Sequence, residues 1–161
     1  MEAAKLLNFK GQINIIGDLD QIKAYREKIH KLSKNMNVVF HGLIKDKTRL
    51  FSIIKSSNLF IFPSEIETMS MMLLEVASQN VAIIASDIIE NTSVFDNDEI
   101  LLFESKNVLS LSKKIRFALN HPKQMHMQAS KAFIKTNTMY NWDTISHQYD
   151  KIYKHLFSVS Q

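Results

Sequence analysis

Short apolar segments alternate with longer segments of helical spacing along most of this chain of 161 residues. The short segments are rich in Ile, Val, Leu and Phe, which is typical of strands in a parallel sheet that is covered on both faces. We predict strands at residues 12–16, 37–40, 59–62 and 81–85, and a short fifth strand at 99–103. Because parallel neighbours need crossover connections, strands that alternate with helices predict an α/β fold with a doubly wound parallel sheet.

The segments between the strands have the spacing of helices that pack on such a sheet. Residues 20–34 place Ile22, Tyr25, Ile29 and Leu32 on one face, and we expect that face to be buried. Asp46 is suited to cap the next helix. We predict helices at residues 2–9, 20–34, 46–55, 70–79, 107–119, 121–136 and 142–157. The C-terminus is therefore helical, and the first helix looks like one whose preceding strand is missing.

Composition restricts the class of protein further. A chain of 161 residues with 45% hydrophobic and 22% charged residues suits one globular domain. It has no cysteine, which excludes disulfides and thiolate metal sites. No apolar run approaches the length of a membrane span, and the start has no signal-peptide character. We expect a single cytoplasmic domain that spans residues 1–161.

Charge is distributed unevenly along the chain. Residues 56–105 contain nine acidic residues and no Lys or Arg, a net charge of −9, whereas the remainder carries all 20 cations and has a net charge of +13. Many of these cations lie on predicted helices, for example between Lys23 and Lys34, where a solvated face explains them. Contact with the inner face of a membrane remains an alternative. Few aromatic residues interleave with the cations, so nucleic acid is the least favoured partner.

The carboxyl ends of the predicted strands are the expected ligand edge, because ligands of open α/β sheets bind there. Gly17 stands alone, so the glycine-rich dinucleotide motif is absent, and so is a phosphate-binding loop with Lys-Ser or Lys-Thr. The run from Asp96 to Glu99 lacks the central glycine and the later ligands of a calcium loop, and we interpret it as an acidic turn. The six histidines form no i, i+4 pair. We therefore predict no metal site.

Two glutamates, Glu67 and Glu75, flank the start of the helix that follows the third strand. That strand ends at Pro63-Ser64, and the residues from Ser70 onward suit a helix. A helix N-terminus at the carboxyl end of a parallel strand favours an anion, because its free N–H groups point outward. Carboxylates there would repel an anion, unless they hold uncharged hydroxyl groups attached to it. A sugar linked to a nucleoside diphosphate has both parts.

The order of these residues resembles the C-terminal, donor-binding domain of retaining glycosyltransferases with the GT-B fold, and within them the large family 4 (glycosyl transferases group 1). That domain is Rossmann-like and has helices on both faces of its sheet. It has a Phe-x-Gly loop, the strand sequence Ala-Asp-Val-Phe-Val-x-Pro-Ser, the run Glu-Gly-Phe-Gly-x-x-x-x-Glu-Ala, and the segment Val-Pro-Val-Val-Ala-Ser-Asp. The matching segments here are Phe40-His-Gly42, residues 58–64, the run from Glu67 to Val76, and residues 81–87. The similarity covers about residues 10–157.

The resemblance implies a role for each matching residue. Glu75 would hold the ribose hydroxyls, and Glu67 would hold a hydroxyl of the donor sugar and act as the catalytic residue. The backbone N–H groups of the helix start would meet the diphosphate, and the loop after the second strand would flank the base. Thr68 and Ser70 stand where the family has glycines. The donor-binding set is Gly42, Leu43, Ile44, Thr68, Met69, Ser70, Met71 and Glu75.

The resemblance also implies parts that lie outside these 161 residues. Family members clamp the diphosphate with an Arg and a Lys on the loop after the first strand, and a separate N-terminal domain binds the acceptor. We expect the chain to lack that strand and that domain, and to be inactive alone. Only Lys45, Lys47 or Arg49 could bring a cation to the site.

The function implied is transfer of a hexose from a UDP- or GDP-sugar to a hydroxyl acceptor, without a cofactor, in polysaccharide or glycoconjugate biosynthesis. The first alternative is a non-catalytic nucleotide-sugar-binding or regulatory module of the same fold. The second is an epimerase of this fold that acts on UDP-sugars, which would need an acid and a histidine from the missing half.

Overall fold

The computed structural model describes residues 1–159, which form five strands and eight helices. The strands are β1 (Ile13–Ile16), β2 (Val38–Gly42), β3 (Phe60–Phe62), β4 (Ile83–Ser86) and β5 (Leu101–Phe103). The helices are α1 (Glu2–Leu6), α2 (Lys23–Ser33), α3 (Lys47–Lys55), α4 (Met71–Ala77), α5 (Ile89–Thr92), α6 (Val108–Asn120), α7 (Pro122–Met139) and α8 (Trp142–Val159). The predicted α/β fold with a helical C-terminus is confirmed. The short α5 was not predicted, because four residues are too few to show a helical period.

All strand pairs are parallel, but the described strands form two sheets. β1 pairs with β2, and β3, β4 and β5 form a second sheet in that order. The two sheets share one core, because Ile16 of β1 and Phe60 of β3 pack against the same buried cluster. Neither β1 nor β3 pairs with a strand on its other edge within the described residues.

Strand β4 is the centre of the larger sheet, and its side chains alternate between two cores. Ile83 and Ala85 belong to a cluster that includes Leu73 of α4, whereas Ile84 belongs to a cluster that includes Ile115 of α6. This period of two places helices on both faces of the sheet, as predicted. Every residue of β4 is buried.

The prediction that residues 59–62 are covered on both faces holds only in part, because Phe60 packs against one core cluster and Leu59 against the other. No residue of β3 is fully buried, and the Ile61 side chain is exposed. Among the described residues, β3 has a hydrogen-bonded neighbour on one side only. Strand β5 also lies at an edge of this sheet, but it packs against α6 and two of its three residues are buried. An apolar run indicates a strand, but its neighbours decide how deeply it is buried.

Helix α2 also differs from its prediction. None of its residues is buried, and Tyr25 on the predicted packing face is exposed. Helix starts follow the sequence signals more closely: the Asp46 carboxylate accepts the Thr48 backbone N–H at 2.9 Å, and α7 begins at Pro122. Among the helices of the described residues, none has the length and apolar character needed to cross a membrane.

Candidate functional site

Two glycines turn the chain out of the sheet at the carboxyl ends of β1 and β2. Gly42 has a φ of +64°, in the left-handed region, and its carbonyl accepts the Gly17 N–H at 2.9 Å. Only glycine adopts that conformation without a steric cost. The turn leaves Leu43 exposed at this edge, whereas Ile44 is partly buried against the core cluster that includes Leu73.

The loop that joins β3 to α4 carries the predicted sugar and phosphate contacts. Glu67 is half-buried, and within the described residues its carboxylate has no hydrogen-bond or ion-pair partner. The N–H groups of Met69 and Ser70 likewise have no acceptor in the described part of the chain. The N–H of Met71, in contrast, donates to the Met69 carbonyl at 2.8 Å. Two of the three backbone donors predicted for a diphosphate are therefore unbonded.

A buried polar network, which sequence reasoning missed, fixes the start of α4. The Ser70 hydroxyl donates to Asn91 Oδ1 at 2.6 Å, so it is not available to a ligand. Asn91 Nδ2 donates to the carbonyl and hydroxyl oxygens of Ser86 at 2.9 and 3.1 Å, and the Ser86 hydroxyl donates to the Ser64 carbonyl. These bonds tie the loop after β3 to the end of β4 and to α5. No periodic signal marks Asn91, which lies in the helix that was not predicted.

Glu75 lies on α4 and pairs with Lys47, the first residue of α3. Lys47 Nζ is 2.7 Å from Glu75 Oε1 and 2.6 Å from Oε2. The Glu75 side chain is 27% exposed, and that of Lys47 is 57% exposed. Glu75 is therefore paired in the free protein, with a lysine 28 positions earlier in the sequence. Of the three cations that could approach the site, Lys47 is the one that reaches this carboxylate.

Lysines from outside the acidic segment neutralise part of it. Lys106 Nζ is 3.2 Å from Glu65 in the loop between β3 and α4 (residues 63–70, the donor loop), and Lys47 pairs with Glu75. Further pairs join Lys131 to Asp98 at 2.8 Å and Lys135 to Glu99 at 2.8 Å and to Asp96 at 3.6 Å. Four lysines thus pair with five of the nine carboxylates, which cancels part of the charge separation along the sequence.

The three carboxylates of Asp96, Asp98 and Glu99 come within 4.8 Å of one another. The Asp96 N–H donates to Glu99 Oε2 at 2.8 Å, which closes the predicted acidic turn. The hydrogen bond from Lys131 lowers the pKa of Asp98. Burial of Lys135 lowers its pKa, but the hydrogen bond to Glu99 and the neighbouring negative charges outweigh burial and leave the pKa raised. The cluster therefore attaches this turn to α7 through ion pairs.

This chain is similar to known proteins in both sequence and fold. The chain is 27% identical over 135 residues to Protein CapJ of Staphylococcus aureus, a match that covers 84% of this chain but only 32% of CapJ. The fold is similar to that of sucrose-phosphate synthase from Thermosynechococcus elongatus, with a TM-score of 0.83, 23% identity, and coverage of 98% of this chain and 41% of that one. It is also similar to that of Anabaena HepE, solved in complex with UDP-glucose, with a TM-score of 0.80, 16% identity, and coverage of 96% and 44%.

The chain thus spans about a third of its curated relative and less than half of these two solved structures. The sequence model of the family described as glycosyl transferases group 1 matches residues 1–135, most of the chain. This match covers β1 to β5, the loop with Glu67 and the ion pair of Glu75. The chain belongs to the glycosyl transferases group 1 family.

Proposed function

We propose that this chain is the donor-binding domain of a retaining glycosyltransferase. The enzyme transfers a hexose from a UDP- or GDP-sugar to a hydroxyl acceptor in polysaccharide or glycoconjugate biosynthesis, and needs no cofactor. The observation that carries the proposal is the Glu75 carboxylate, which is partly exposed on α4 just after the unbonded N–H groups of Met69 and Ser70. The structure of HepE with UDP-glucose supports the choice of a nucleotide sugar as ligand.

The chemistry of these groups suits the two halves of such a donor. An ionised carboxylate only accepts hydrogen bonds, so Glu75 suits the ribose hydroxyls and Glu67 suits a hydroxyl of the sugar. Backbone N–H groups only donate, so Met69 and Ser70 suit the diphosphate. The exposed Leu43 supplies an apolar surface for the base. The Ser70–Asn91 bond holds the loop in place before a ligand arrives.

The proposal includes a further strand and an acceptor domain supplied by the rest of the protein. The support is the break in the sheet: β1 and β3 border the same core but have unpaired edges among the described residues. One more parallel strand between them would join the two sheets. Because the acceptor site and a phosphate clamp would come from outside residues 1–161, we expect this chain alone to bind a donor without transferring its sugar.

The test is a titration of UDP and GDP into the wild-type chain, Glu75→Gln and Glu27→Gln, followed by NMR chemical shifts. We expect wild-type Kd values near millimolar, about −4 kcal/mol. Glu75→Gln weakens charge-assisted hydrogen bonds of about 1.5–3 kcal/mol, so binding falls roughly tenfold or more. Glu27 is an exposed acid on α2 and controls for the change in net charge. Equal affinities for all three proteins would refute the role of Glu75, and no binding to wild type would refute the proposal.

The alternative, a nucleotide-sugar-binding module without catalysis, is favoured by one observation. Lys47 and Lys106 are both held in ion pairs, with Glu75 and Glu65 respectively. A departing diphosphate needs cations or dipoles that are directed at its developing charge. An assay of sugar transfer by this chain joined to the proposed acceptor domain separates the two functions. Transfer by that protein would exclude the non-catalytic module.

A further inference from the structure

Lys47 pairs with both oxygen atoms of the Glu75 carboxylate, which the proposed function assigns to the ribose hydroxyls. Its Nζ lies in the fork of Glu75, at 2.7 and 2.6 Å from the two oxygens. No other group of the described residues makes a hydrogen bond or ion pair to that carboxylate. The backbone of Lys47 is held at the start of α3, since the neighbouring Asp46 caps this helix through the Thr48 N–H at 2.9 Å.

The two hydroxyls of a ribose compete for the same fork. A vicinal diol that donates to both oxygens of a carboxylate approaches it end-on, as the ammonium group of Lys47 does here. The ammonium carries a full positive charge, so it competes with an uncharged diol for these two oxygens. Lys47 is free to move away, because its side chain is 57% exposed and has four flexible carbons.

We propose that Lys47 is a cap on the ribose subsite, and that a nucleotide binds only after Lys47 leaves Glu75. This inference rests on the proposed function, because it takes Glu75 as the ribose acceptor. Lys47 thereby lowers the affinity for every nucleoside that carries a 2′,3′-diol, whatever its base. Added salt weakens the pair of Lys47 with Glu75 and should therefore strengthen nucleoside binding, whereas it weakens the binding of a phosphate to cations.

The size of the effect follows from the exposure of the pair. An exposed ion pair favours its closed state over its open state by about one- to fivefold. Only the open fraction binds, so removing the cap strengthens binding about two- to sixfold. The gain should appear with a nucleoside as well as with a nucleoside diphosphate, because the competition concerns ribose and not phosphate.

The experiment compares wild type, Lys47→Met and Lys55→Met by NMR titration with uridine, UDP and 2′,3′-dideoxyuridine. Lys55 is an exposed lysine at the other end of α3 that makes no ion pair in the described structure, so its variant controls for the loss of one positive charge. We expect Lys47→Met to bind uridine and UDP about two- to sixfold more tightly, and Lys55→Met to bind uridine as wild type does. Raising NaCl from about 0.05 M to about 0.5 M should tighten uridine binding to wild type but not to Lys47→Met.

Failure of this inference differs from failure of the proposed function. If wild type binds UDP and Glu75→Gln weakens that binding, but Lys47→Met does not strengthen uridine binding, the cap is refuted and the donor site stands. If Lys47→Met weakens UDP binding and leaves uridine unchanged, Lys47 is a phosphate contact and the cap is refuted. If dideoxyuridine gains as much as uridine from Lys47→Met, the competition does not involve the ribose hydroxyls. Absence of any UDP binding to wild type refutes both proposals.

Discussion

Replacement of Asn91 by alanine tests whether the buried polar network holds the donor loop in place. Asn91 has no solvent exposure and bonds to Ser70 and Ser86, each of which is 1% exposed. Asn91→Ala removes one acceptor, at 2.6 Å from the Ser70 hydroxyl, and one amide donor, at 2.9 and 3.1 Å from two oxygens of Ser86. Water cannot replace these partners without entering the core.

The expected loss of stability follows from the groups left unpaired. A buried donor or acceptor that loses its partner costs about 1–3 kcal/mol. The Ser70 hydroxyl loses its acceptor, whereas the Ser86 hydroxyl keeps its bond to the Ser64 carbonyl. We therefore expect Asn91→Ala to lower the free energy of unfolding by about 2–4 kcal/mol, and Ser70→Ala by about 1–2 kcal/mol.

The assay is urea unfolding followed by far-UV circular dichroism. With an m-value of about 2 kcal/mol per molar urea, Asn91→Ala should lower the midpoint by about 1–2 M. Asn97→Ala is the matched control, since the Asn97 side chain is exposed and its carbonyl keeps the bond from Gln128 at 2.8 Å. Equal midpoints for Asn91→Ala and Asn97→Ala, or a larger loss in Ser70→Ala than in Asn91→Ala, would contradict a stabilising role of Asn91 in this network.

Three further predictions concern the ion pairs and the turn. Lys135→Met should lower the free energy of unfolding by about 1–3 kcal/mol and Lys131→Met by about 0.5 kcal/mol or less, because Lys135 is only 19% exposed and Lys131 is 52% exposed. Equal losses in thermal melts would contradict this difference. The Asp98 pKa lies below its usual value of 3.8, so its contribution is complete above that pH and is lost as pH falls through the lowered pKa. Lys131→Met should therefore flatten the acid limb of stability against pH, and an unchanged limb would contradict the prediction. Gly42→Ala should cost about 1 kcal/mol in the left-handed conformation, and Gly42→Asn should cost less in the same melt.

Apart from the short α5, the local sequence was sufficient to predict the elements and their order. The start of α3 depends on the Asp46 side chain, which caps a free N–H group two residues later. The break before α7 depends on Pro122, whose ring prevents the preceding helix from continuing. Gly42 likewise indicates a turn, because its positive φ is a conformation that glycine adopts readily. Such features are visible in sequence because both interacting groups lie within a few residues.

Burial of the strands was decided by the tertiary structure. Residues 59–62 and 81–85 look equally apolar in sequence, yet β3 is partly exposed and β4 is buried throughout. The difference arises from packing partners, because β4 lies between two strands, whereas β3 lies at an edge of the sheet that the described strands form. Strand β5 lies at the other edge but packs against α6. No local pattern contains that information, since each neighbouring strand belongs to a distant part of the chain.

The candidate site divides in the same way. The sequence predicted Glu67, Glu75 and the start of α4, because their spacing around a strand–helix junction is local. The partners of these residues were determined by packing: Lys47 lies 28 positions from Glu75, and Asn91 lies 21 positions from Ser70. Side chains so far apart in sequence meet only when α3 and α5 are placed against the sheet. Sequence alone therefore predicted which groups suit a donor, and the tertiary structure determined which of these groups already have a partner within the described residues.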